Sequence, residues 1–279
     1  MKLFQFCAIL TILAGAGSVR AQSDSTEEYN VNPERGTADR EDVWTLNFRF
    51  YDPRIIVERV PGRGTKIVWY MLYSVYNTDP KKDVHTFVPD IELVTLDRHT
   101  RHADEIMPSL QTAIQKREDP TGRLNIHNSV TVMEKPIPLS KEDAFPRVVN
   151  GVAIWTDVDP APSEKAKQPR TNKFSIFIAG LSNGYTDSER DPTTNKPIIK
   201  RKTLQLDFER LGDGERIDPS GIRWTGKYTW IYRETTPVDP LPLKKDEKDP
   251  QLNLFPSLKL NNLPKQTVSE PILPITDKR

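Results

Sequence analysis

Lys66-Ile67-Val68-Trp69-Tyr70-Met71-Leu72-Tyr73-Ser74-Val75-Tyr76-Asn77 is the stretch on which the fold turns. Ile67, Trp69, Met71, Tyr73 and Val75 fall on one side of an extended chain, and Val68, Tyr70, Leu72 and Tyr76 on the other. Successive side chains alternate across a strand. A strand that is apolar on both sides belongs in the middle of a sheet covered on both faces.

Working outward, Pro61-Gly62-Arg63-Gly64 is a turn that returns the chain from Ile55-Ile56-Val57 into this strand. Further upstream, Trp44, Leu46, Phe48 and Phe50 alternate with Thr45, Asn47, Arg49 and Tyr51, the pattern of a strand with one buried face, and Asp52-Pro53 ends it. Downstream, Asn77-Thr78-Asp79-Pro80 makes a turn, and residues 85–96 alternate again, with Pro89 marking an edge or a bulge. Residues 104–118 read as the one helix, because Ile106, Leu110 and Ile114 share a face; Asp104 is placed to cap it and Pro108 fits in or near its first turn. Strands are also predicted over 129–133, 148–155, 173–179, 198–210 and 222–233. Turns lie between them at 157–168, Ser182-Asn183-Gly184, Asp191-Pro192 and Gly212-Asp213-Gly214. In Ser182-Asn183-Gly184 the residues Asn183 and Gly184 would supply the positive φ of a hairpin. This order predicts an all-β protein, mainly an antiparallel β-sandwich, with one short helix inserted. Two smaller sandwiches divided near Pro120 are the alternative arrangement.

The ends have a different character. Lys2 followed by an apolar run from Leu3 to Val19, then Arg20-Ala21, is the layout of a signal peptide over 1–21, cleaved between Ala21 and Gln22. Residues 22–42 are rich in Ser, Thr, Glu, Asp and Arg and predict a disordered leader. The β-sandwich domain spans 43–235. Residues 236–279 carry eight prolines and the charged run 244–249, a composition that predicts an extended, semi-rigid tail. Cys7, the single cysteine, lies in the signal segment, so the exported chain has no thiol for disulfides, nucleophilic chemistry or thiolate metal ligation. The formal charge of the whole chain is +1. Such balance argues against nucleic acid as the main partner, since phosphate binding draws on a clustered basic excess.

Trp44-Thr45-Leu46-Asn47-Phe48-Arg49-Phe50, Val68-Trp69-Tyr70, Gly180-Leu181-Ser182-Asn183-Gly184 and Arg201-Lys202-Thr203-Leu204-Gln205-Leu206 together resemble a family of uncharacterised exported proteins of planctomycete-type bacteria. The resemblance spans 44–233 and implies export and a β-rich body; it carries no activity and no catalytic residue. Val75-Tyr76-Asn77-Thr78, a strand end leading into a polar turn, also resembles immunoglobulin-like extracellular modules.

Candidate chemistry is sparse. Asp97, His99, His102, Asp104 and Glu105 form the densest group of metal-type ligands, with His99, His102 and Asp104 as its core. The two histidines are three apart in a link between elements, and a polar loop with a helix cap explains them as well. Asp157, Asp159 and Glu164 offer hard oxygen ligands, but the glycine and later acid of a calcium loop are missing. Gly180-Leu181-Ser182-Asn183-Gly184 matches the letters of a nucleophile elbow. No helix is predicted after it, as an elbow requires. Lys200-Arg201-Lys202 reads as a charged strand start or a protected sheet edge. Trp224, Tyr228, Trp230 and Tyr232 share parity on one strand, and form either part of the core or a platform for sugar rings or a partner.

These features predict an exported, non-enzymatic binding or structural module of the envelope or periplasm. It would recognise an envelope protein, use no cofactor, and employ the tail as tether or docking segment. A carbohydrate-binding module using the 224–232 aromatic row is the alternative, and an enzyme with a scattered active site the third reading.

Overall fold

The structure is a computed structural model that describes residues 27–36, 39–79, 81, 83–140, 145–159, 170–212 and 221–234. The signal segment, Glu164 and the whole tail lie outside the described residues.

Two mostly antiparallel sheets face each other. In the first, β4 (Gly64–Tyr76) is central, as its two apolar faces require. β2 (Asn47–Tyr51) and β3 (Arg54–Val60) share one of its edges, pairing with its far and near halves, and β7 (Val149–Trp155) takes the other. β1 (Glu28–Val31) extends the sheet beyond β2. In the second sheet, β10 (Pro197–Arg210) is the long central strand. β11 (Ile222–Glu234) lies on one side; β8 (Lys173–Ala179) and β9 (Tyr185–Arg190) divide the other; β5 (Asp90–Thr95) and β6 (Arg101–Ala103) complete it. Strands from both sides of Pro120 pair in each sheet, so no division falls there. No helix among the described residues is long and apolar enough to cross a membrane.

The main core fills the space between the sheets. Phe48, Phe50, Trp69 and Tyr73 from the first meet Phe174, Ile176, Leu204 and Phe208 from the second. Within each sheet these rings stack, as Phe48 does on Phe50 and Tyr73 and Phe174 on Phe208, while across the sheets they meet edge-on, an arrangement aromatic quadrupoles favour. Trp69 stands edge-on to Phe174 at 5.2 Å between centroids, and Phe50 edge-on to Phe208 at 5.9 Å. The outer face of β4 is covered too: Val68, Tyr70 and Leu72 pack with Val152 and Ile154 under Leu110 and Ile114 of helix α1 (Pro108–Glu118). The two-faced pattern of β4 is therefore satisfied by a second sheet on one side and a helix on the other.

Two glycines are required. Gly151 sits opposite Tyr73, whose ring occupies the space of its missing side chain, since a Cβ there would lie 2.3 Å from Cζ. Gly180 has φ +89, and a Cβ would meet the Val88 carbonyl oxygen at 1.8 Å.

Several expectations need correction. Helix α1 starts at Pro108 with Met107 as N-cap, and Ile106 is exposed. Asp104 instead accepts hydrogen bonds from the Ile154 amide (2.6 Å) and the Ser129 hydroxyl, sealing the edge of β7. The strand expected over 129–133 is a 3-10 turn, Thr131–Glu134, because the Asn128 side chain accepts from the amides of Val130 and Thr131 and curls the chain. Ser182-Asn183-Gly184 is no hairpin turn: β8 and β9 both pair with β10 and not with each other, and the positive φ falls on Gly180. The leader expected to be disordered over 22–42 contains β1, whose Tyr29 and Val31 turn towards the core.

Candidate functional site

The inward stripe of β10 reads Lys202, Leu204, Leu206, Phe208, Arg210, and all five are buried. Each end of this stripe is thus a buried cation, and each has a buried aspartate from a loop. Arg210 donates to Asp159 at 2.9 Å, while the Trp69 indole donates to the same carboxylate at 3.2 Å. Lys202 donates to Asp39 and to the Glu34 carbonyl, and its side chain and that of Asp39 are each 1 % exposed. The Tyr232 hydroxyl also donates to Asp39. Burial opposes the Asp39 charge, but the bonds from Lys202, Tyr232 and the Gly36 amide outweigh it and hold this carboxyl below the ordinary range. Burial and the same carboxylate push the Tyr232 hydroxyl up to about 12. Lys202 is therefore not the protected edge its neighbours in sequence indicated; it is the internal anchor of the segment that links β1 to β2.

That segment runs over the aromatic row. Trp224, Tyr228, Trp230 and Tyr232 do share one face, kept in phase by a bulge at Gly226 (φ +77), and that face points inward. Trp224 packs on Tyr29 at 4.9 Å and on Phe50 at 5.5 Å. The Trp230 indole donates to the Asn32 carbonyl at 3.4 Å, and Lys202 lies 5.4 Å from its ring centroid. Tyr228 engages Glu34. The row packs against Tyr29, Asn32, Glu34 and Asp39, and its four aromatic side chains are half-buried beneath them.

Past this anchor the segment clips to the loop after β8 and forms a groove. The Ser182 hydroxyl donates to the Trp44 carbonyl (2.6 Å) and accepts from Thr45 (3.1 Å) and the Gly184 amide (3.1 Å). Asn183 Oδ1 accepts the Trp44 amide at 2.8 Å, and the Leu46 amide bonds to the Leu181 carbonyl at 2.7 Å. A groove of about 350 Å³ opens beside this clip, lined by Ser182, Asn183, Gly184, Tyr185, Ile199 and Arg201. Tyr185 and Ile199 are 46 % and 53 % exposed. The Arg40 guanidinium lies 5.0 Å over the Tyr185 ring and donates to its hydroxyl at 3.4 Å. With Ser182 fully engaged in holding Trp44, the groove offers shape, charge and apolar surface, and its serine serves as a structural tie.

The metal-type residues are dispersed. His99 is exposed in a positive-φ turn. His102 is buried, 2.9 Å from Asp157 and 2.7 Å from the Thr100 hydroxyl, and its hydrogen bond lowers the Asp157 carboxyl below the ordinary range. Asp104 is engaged as described, and its burial raises its carboxyl. Asp97 accepts from the Thr171 hydroxyl (2.5 Å) and the Asn172 amide (2.6 Å), and Glu105 from Thr156. No three such groups converge on one point among the described residues. Asp159, considered for calcium, serves Arg210 and Trp69.

Sequence reasoning missed Arg40, Tyr185, Ile199 and Lys202. Only for Lys202 was there a signal: it shares parity with Leu204 and Leu206 and therefore faces inward with them. It also missed a carboxylate–imidazole pair, Asp79 and His85 at 2.6 Å, stacked under Trp44 with ring centroids 4.2 Å apart.

Comparison of the chain with models of protein families, with curated proteins and with solved structures returns no match.

Proposed function

We propose that this chain is an exported, non-catalytic recognition module of the cell envelope or periplasm, built on an immunoglobulin-like sandwich, and that its partner is a protein. The observation that carries this reading is the groove beside the 40–46 segment. Two large apolar side chains, Tyr185 and Ile199, stand exposed in a concavity of about 350 Å³ with guanidinium groups at its rim. Pockets of this size with a few placed polar groups are what ligand and peptide sites look like, and exposed aromatics with arginine are the residue types that carry interface energy. Export is supported by the layout of residues 1–21, and the proline-rich 236–279 suits a tether that holds such a module away from its attachment point.

The test is site-specific crosslinking. A photoreactive phenylalanine analogue replaces Ile199 in the 22–279 chain, and the same analogue replaces Thr229 on β11 as a control. Crosslinking to one defined envelope protein from Ile199 alone, reproduced with that protein purified and abolished by Tyr185→Ala, is the expected result. Equal products from both positions would remove the groove as the recognition site.

A further inference from the structure

We propose that the groove recognises an acidic segment of its partner protein: a carboxylate is seated between Arg40 and Arg201, and a neighbouring apolar side chain lies on Tyr185 and Ile199. This rests on the recognition-module reading above and names the chemistry of what is recognised.

The charges make the case. Several arginines elsewhere on the body are matched to carboxylates, among them Arg54 with Glu118, Arg63 with Glu105, Arg233 with Glu92 and Arg223 with Asp52. Arg40 and Arg201 form no ion pair with a carboxylate among the described residues. Arg201 acts on Asp90 only through space, where it helps Arg233 hold down a carboxyl that burial raises. Of the other charged residues on this hairpin, Lys200 is committed to Glu189. Arg40 is already held, its guanidinium carbon over the Tyr185 ring and one nitrogen on the phenol oxygen, so that engaging an acid with its other donors costs little further ordering. A guanidinium presents a planar fork that matches a carboxylate.

The geometry favours a peptide over an acidic sugar. Among the described residues Tyr185 is the one ring lining the groove, and Arg40 lies over it, so the open stacking surface that sugars use is reduced. β9, which begins at Tyr185, is hydrogen-bonded to β10 alone among the described residues, so its second edge is open to an added extended strand.

The experiment is an NMR titration of the 22–279 chain, read at the Ile199 methyl and the Tyr185 ring. Its probes are a blocked Leu-Glu-Phe-Asp-Leu-Glu peptide, the same peptide with Gln and Asn for its acids, and a sulfated disaccharide. The acidic peptide is expected to give saturable shifts at these two residues, and the amide peptide to bind at least about tenfold more weakly, as loss of one charge-assisted contact implies. R40Q and R201Q should each weaken the acidic peptide about five- to tenfold, while R59Q, on the other sheet, leaves it unchanged. Equal binding of both peptides, or no effect of R40Q and R201Q, overturns acid recognition but leaves the groove as a protein site. Shifts from the disaccharide alone overturn the peptide assignment. If neither peptide moves Ile199, the inference falls; the crosslink from Ile199 then decides separately whether the recognition reading falls with it.

Discussion

Asp39→Asn is the perturbation that most directly tests how the β1–β2 segment is held. The substitution keeps the shape of the side chain but leaves Lys202, 1 % exposed, without its counter-charge. Removing one partner of a buried pair costs about 3–5 kcal/mol, because the surviving charge is left desolvated. Against a typical total of about 5–15 kcal/mol this is a large loss. The assay is urea unfolding at pH 7 followed by tryptophan fluorescence, comparing wild type, Asp39→Asn, Lys202→Met and the Asp39→Leu/Lys202→Met pair. The double variant, with apolar groups in place of both charges, should recover to within about 1 kcal/mol of wild type. The pH dependence has a definite sign. A carboxyl held below its ordinary range in the folded state contributes stability that is fully present above its unfolded pKa and is lost as pH falls through the folded value. The gap between wild type and Asp39→Asn should therefore narrow below about pH 4. A cost under about 1 kcal/mol at pH 7, or a double variant no better than the single, would refute the reasoning.

Three other outcomes follow from the packing. Gly151→Ala forces a Cβ into the ring of Tyr73 and should cost about 1–3 kcal/mol by thermal denaturation, with most of the loss recovered when Tyr73 is also replaced by Leu. Leu110→Ala should cost about 2–5 kcal/mol because it empties the contact between α1 and β4, whereas Ile106→Ala, on an exposed residue, should stay within about 0.5 kcal/mol. Ser182→Ala removes the tie to the Trp44 carbonyl and should lower stability by about 0.5–1.5 kcal/mol while hydrolysis of a nitrophenyl ester stays at the uncatalysed rate; ester turnover that vanishes with the serine would contradict its structural role.

The sheets were legible because period-two alternation is a local property. Residues 66–77 announce a central strand, and 173–179 coincide with β8. What escaped was long-range or cap-driven. β1 is four residues long, and Tyr29 and Val31 give too short a pattern to stand out among charges. Residues 129–133 look like a strand by composition, yet one Asn side chain upstream decides otherwise. The groove was illegible for a different reason: Arg40 and Tyr185 meet across 145 positions of sequence, and only the closed fold puts them together. The aromatic row does lie on one face, but what that face meets, Tyr29, Asn32, Glu34 and Asp39, comes from the far end of the chain, and Asp39 is in turn bonded to Lys202.

The inward stripe of β10 has one more consequence. Its middle, Leu204, Leu206 and Phe208, would tolerate sliding by two residues, since greasy positions would still meet greasy positions. Its two ends would not: such a slip drags Lys202 off Asp39 and Arg210 off Asp159 at once, stranding both cations in a dry interior. The pair of ion contacts thus works as two pegs about 26 Å apart, which lock the strand at a single setting that hydrophobicity alone would leave free to shift.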